Sequence, residues 1–240
     1  MNPIIRTVLF TLPAVAVAAG AGTLAVWRKP GPQLTSAIQH LAAGIVFAAA
    51  ALELLPKERH EAAIPVALGF SLGLGLMIAI RYVSRRFEER ESGAAIPLGL
   101  LVVTGVDLLI DGIVLGIGFA AGERTGVLLG VALTLEVLFV SLAVSSAMGD
   151  ARVGRVAAAL APAGLALMLT LGAGVSRYLF SDLSPFAFAI LLGIGLVALL
   201  YLVTEELLVE AHEVEETVWT TSAFFAGFLL FLLLEMWVEG

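Results

Sequence analysis

The chain has 240 residues, 60% of them hydrophobic, and a mean hydropathy of +1.04. A water-soluble globular domain is nearer about 45–50% apolar, so water is not the main solvent here. The formal charge of −7 leaves no basic stripe for a nucleic-acid partner, and the lack of cysteine removes disulfides and thiolate metal sites. In a bilayer the backbone must satisfy itself within helices or a closed barrel, and alternating ten-residue strands are absent. The expected architecture is a single all-α transmembrane domain over residues 1–240.

A helix crosses a hydrocarbon core of about 30 Å with about 20 apolar residues, and cuts at clusters of charge, Gly and Pro leave eight spans. The first, 4–27, carries small residues at Ala16 to Ala19 that resemble a signal cleavage site. Its apolar run continues to Trp27, beyond the roughly 7–15 residues of a signal core, so it is read as a helix. The second, 33–55, contains Gln39, His40 and, towards its end, Glu53. The third, 62–80, has Gly69, Gly73 and Gly75, which let helices approach closely where lipid gives no hydrophobic drive. The fourth, 96–121, and fifth, 127–148, are joined by the short break Gly122-Glu123-Arg124. The sixth is 156–175. The seventh, 185–208, ends in a charge run of Glu205, Glu206, Glu210, His212, Glu213, Glu215 and Glu216, read either as a solvated helix end or as a site that collects metal. The eighth, 219–238, carries Glu235, for which the sequence supplies no partner. Short breaks make consecutive helices antiparallel neighbours. The first, third and fifth breaks hold eight Lys and Arg residues against five on the other side, which places those breaks in the cytoplasm and both termini on the extracellular or periplasmic side of a cell membrane.

An acid at mid-membrane costs roughly 2.5–3.5 kcal/mol, so it persists only if it pairs, meets water or works. Asp107 and Asp111 lie near the centre of the fourth span, four residues apart and on one helix face, with Thr104 on the same stripe. Glu136 lies near the centre of the fifth. Asp111 is 11 residues before Gly122 and Glu136 is 12 after Arg124, so antiparallel packing brings them to one depth within a turn. Three carboxylates at one level repel unless protons or a cation are present. Two readings stay open: protonated acids bonded to neighbouring helices, or a divalent cation held among them. His40 is as much a packed residue as a ligand. Glu206 and Glu210 share a face.

These residues resemble the ZIP (Zrt/Irt-like) family of divalent metal transporters over nearly the whole chain. Gly44-Ile45-Val46-Phe47 with Glu53-Leu54-Leu55-Pro56 is similar to the family's second helix, and Glu206-Leu207-Leu208-Val209-Glu210-Ala211 to its seventh, with Val209 in place of proline. Asp107-Leu108-Leu109-Ile110-Asp111-Gly112 takes the register of the family's His-Asn-x-Pro-Glu-Gly, and Glu136 to Val144 that of His-Glu-x-Pro-Glu-Gly-Leu-Ala-Val. The resemblance implies an eight-helix bundle of ZIP type with Asp107, Asp111 and Glu136 as metal ligands. Both motif prolines are missing, and Leu108, Val137 and Val140 replace polar ligands, which implies one metal site in place of two and carboxylate in place of imidazole. Carboxylate ligation suits manganese, magnesium or calcium, and iron and zinc accept it.

The expected function is uptake of a divalent metal as substrate (Mn, Zn, Fe or similar), guided by Glu53 and His60, held by Asp107, Asp111 and Glu136, with His40 along the path, and released past Glu206 and Glu210. The alternative is a ZIP-like protein that binds metal without moving it. The chain is not expected to be an enzyme: an intramembrane aspartyl protease draws its aspartates from different helices and needs a Gly-x-Gly-Asp motif absent here. The expected partners are the metal ion, the bilayer and, as a homodimer, a second copy.

Overall fold

A computed structural model of the protein describes residues 3–91, 97–180, 183–215 and 217–239, with side chains outside 87–91 and 239. Ile96, Glu216 and the side chain of Arg90 therefore lie outside the described residues. Among those described, every regular element is helical and none is a strand. Eight helices are long and apolar enough to cross a membrane, which fits a multi-pass membrane protein. They are α1 (Pro3–Trp27), α2 (Pro32–Glu58), α3 (Ala63–Glu91), α4 (Leu98–Ala121), α5 (Glu123–Asp150), α6 (Arg155–Leu179), α7 (Pro185–Ala211) and α8 (Val218–Glu239).

Each helix overlaps one expected span, and the differences fall at the ends. The apolar run of α3 stops at Ile80 while the helix continues through a segment rich in Arg and Glu. Such residues are good helix formers, so leaving hydrocarbon does not end the helix. Gly122 alone joins α4 to α5 at φ 157° and ψ 149°, a conformation open to glycine, so α5 begins at Glu123.

Pro56 does not stop α2. It lacks the N–H that the carbonyl of Leu52 would accept, and the helix passes through a wide π turn at Ala50–Leu54 just before it. A second wide turn occupies Leu202–Leu207 of α7, where Val209 stands in the place of Pro56. Nothing in the sequence of α7 explains it.

The helices pack in two groups. In one, α6 packs on α1, α4 and α5, and α5 on α1 and α4; in the other, α2 packs on α8, α3 on α7, and α2 meets α7 near the wide turns. Between the groups α5 packs against α2. Reciprocal glycines set the closest crossings inside each group. A Cβ on Gly112 of α4 would collide with the carbonyl of Leu169, and one on Gly172 of α6 with that of Leu109. The pair Gly44 and Gly227 does the same for α2 and α8. Helices α2, α5 and α7 are the most enclosed. Helices α3 and α8 turn apolar side chains such as Leu72, Ile78, Phe225 and Leu229 outward, as lipid-facing helices do.

Candidate metal centre

The four-residue spacing on α4 puts Asp107 and Asp111 one turn apart on a single face, and the contact of Gly112 with Leu169 on α6 presses α4 into a fixed rotation within its group. Glu136 of α5 arrives at their depth because one glycine makes the turn between the two helices. One carboxylate oxygen from each of Asp107, Asp111 and Glu136 lies within 4.8 Å of the others. Asp107 is half-buried; Asp111 and Glu136 are 3% and 0% exposed. Neither oxygen of Glu136, nor Oδ2 of Asp111, accepts a hydrogen bond from an N–H or hydroxyl among the described residues.

That arrangement cannot hold three negative charges alone. At an effective dielectric of about 20, two unit charges at such a separation repel by about 3–4 kcal/mol, and each unsatisfied buried oxygen adds a desolvation cost. Protons relieve the charge one at a time. A divalent cation relieves two charges at once and gives one oxygen of each residue a partner, so the cluster could hold one. Its donors are carboxylate oxygens, the ligand class of hard cations and one that manganese, iron and zinc also accept.

The wide turn of α7 adds a fourth acid. It carries Glu206 to within proton-sharing reach of Asp107. Glu210, a turn further on, accepts a hydrogen bond from Gln39 Nε2 at 2.9 Å. A cavity of about 300 Å³ runs from Glu136 past Thr104, Asp107, Glu206 and Glu210 to Arg81 and Arg85. It thus opens at the end of the bundle that carries the first, third, fifth and seventh connections. At its rim Arg81 donates to the hydroxyl of Tyr201 at 3.2 Å and pairs with Glu205.

Of the candidates read from the sequence, the structure brings together Asp107, Asp111, Glu136, Glu206 and Glu210. His40 does not line this cavity. It is buried, donates Nδ1–H to the carbonyl of Ser36 at 2.8 Å and meets the ring of His212 edge-on at 5.2 Å. Glu53 lies at the opposite end of the bundle. There it accepts from the hydroxyl of Thr125 at 2.8 Å and faces Arg124 at 3.8 Å. His60 is exposed beyond the end of α2.

Three features escaped the sequence. Glu235 has a partner, Arg124, at 3.1 Å; both lie near the ends of their helices on the terminal side, a signal that charge sign and depth together could have supplied. Glu206, read from the sequence as part of an exit site, meets Asp107 itself, a pairing of remote helices that spacing does not give. Glu58 is buried against Gly193 of α7 with neither oxygen hydrogen-bonded, well away from the central cluster. No protein-family model and no curated protein matches the chain.

Proposed function

We propose that the chain carries a divalent metal ion across a membrane as a ZIP-type transporter, with Asp107, Asp111 and Glu136 as the binding site. The observation that carries this reading is the set of three orphan carboxylate oxygens, on Glu136 and Asp111, inside a triad whose ligand atoms lie within 4.8 Å. A structural cluster of acids would recruit donors from its neighbours; these three oxygens accept from no N–H or hydroxyl, and Asp107 and Glu136 line a cavity that carries three more acids, Glu205, Glu206 and Glu210.

In this reading the ion exchanges its water for carboxylate oxygens, and Glu206 and Glu210 form successive stations between the triad and solvent. Carboxylates that gain protons as the ion leaves avoid the repulsion of the bare cluster. The grouping of α1, α4, α5 and α6 against α2, α3, α7 and α8 supplies two bodies for alternating access, because close glycine crossings stiffen each group internally. The bias of Lys and Arg assigns the cavity mouth to the cytoplasm and both termini to the outside, and net movement is inward.

Reconstituted protein in liposomes tests this. Manganese or zinc uptake is expected from the parent chain and is expected to vanish in Asp111→Ala and Glu136→Gln. Uptake unchanged in Asp111→Ala would overturn the proposal. Metal-dependent thermal stabilisation with no flux in the parent would replace it by binding without transport.

A further inference from the structure

We infer that Arg124 is a built-in counter-cation that latches the terminal end of the bundle, and that the central acids become reachable from that end only when the guanidinium leaves Glu53 and Glu235. The inference rests on the transport reading for its purpose, though not for its geometry.

Arg124 and Thr125 begin α5, in one helix group. Glu53 on α2 and Glu235 on α8 belong to the other. One nitrogen of Arg124, Nη2, faces an oxygen of Glu53 at 3.8 Å and one of Glu235 at 3.1 Å, and Thr125 donates to the second oxygen of Glu53 at 2.8 Å. The Glu53 side chain is 5% exposed and that of Glu235 15%. The neighbouring pair of Arg6 on α1 and Glu123 on α5, by contrast, stays within one group. The latch therefore joins the two groups at the end opposite the cavity mouth.

The chemistry suits a closure that can reopen. An apolar seal of the same area would re-form whatever the state of the centre. A charge-assisted tie is strong while dry and weakens steeply once water reaches it, because its strength follows the local dielectric. The guanidinium is already 39% exposed, and parting of the two groups at this end wets the two carboxylates as well, which removes most of the cost of separating them. The wide turn at Ala50–Leu54 holds Glu53 and gives α2 a place to bend.

The chain contains no cysteine, so a single introduced thiol reports access without background. Ala132 lies one turn from Glu136 on the latch side and is 1% exposed; Ala143 lines the cavity. Ala132→Cys and Ala143→Cys, in sealed liposomes of known orientation without metal, are treated with a membrane-impermeant thiol reagent from each side. In the parent background Ala143→Cys is expected to react from the cavity side and Ala132→Cys from neither. With Glu53→Gln and Glu235→Gln together, labelling of Ala132→Cys from the latch side is expected to rise at least about tenfold, as a two-state equilibrium does when it loses a charged tie. Arg124→Gln should give the same rise. Unchanged latch-side labelling in both backgrounds, with cavity-side labelling of Ala143→Cys preserved as proof of folding, would overturn the latch. Since no metal is present, a rise in labelling in a protein that moves no metal would support the latch and count against the transport reading alone.

Discussion

The bundle meets the charge of its central carboxylates and that of Glu53 and Glu235 at its terminal end in opposite ways. At the terminal end Glu53 and Glu235 share the guanidinium of Arg124, and Thr125 adds a hydroxyl. At the centre Asp107, Asp111 and Glu136 converge with no N–H or hydroxyl donor on Glu136. A cation supplied by the chain makes structure. Charge left without one is a cost to the fold and, in the proposed reading, a site for a cation from solution; the neighbours make the difference.

The comparison predicts stability effects of opposite sign. The largest concerns the centre: a saturating metal, at a hundred times its dissociation constant, should stabilise the parent by about 2.7 kcal/mol. Asp107→Asn with Glu136→Gln should abolish that gain and raise the melting temperature in chelator, because it removes repulsion without removing bulk. A lower melting temperature in chelator would mean that the central acids are structural after all. At the terminal end the sign reverses. Arg124→Ala should lower stability by about 2 kcal/mol, less than the roughly 3–5 kcal/mol of a fully buried pair because its side chain is 39% exposed. Thr125→Val, which keeps the shape and deletes the donor to Glu53, should cost about 1–1.5 kcal/mol in the same unfolding assay. Smallest is Lys29→Ala, which breaks the exposed pair with Asp150 and should change stability by less than about 0.5 kcal/mol. An effect of Lys29→Ala as large as that of Arg124→Ala would show that burial does not set this ranking.

Eight helices were legible because hydrocarbon thickness and the need to satisfy the backbone act on continuous runs of chain. Their ends were less so: α3 continues past its apolar run and α5 starts four residues before the expected position, since helix continuation depends on propensity and on one glycine turn rather than on hydropathy. The central triad was legible for a related reason. A spacing of four fixes the shared face of Asp107 and Asp111, and a short turn fixes the depth of Glu136.

What the sequence by itself determined about this protein is thus whatever follows from local spacing and from distance along the chain. The tertiary structure decided which remote side chains meet. It set Glu206 beside Asp107, brought His212 against His40, and gave Glu53 and Glu235 to Arg124. Those pairings depend on how two helix groups cross and where α2 and α7 widen. Glycine contacts between distant segments fix the helix crossings inside each group, and no window of sequence contains both sides of such a contact.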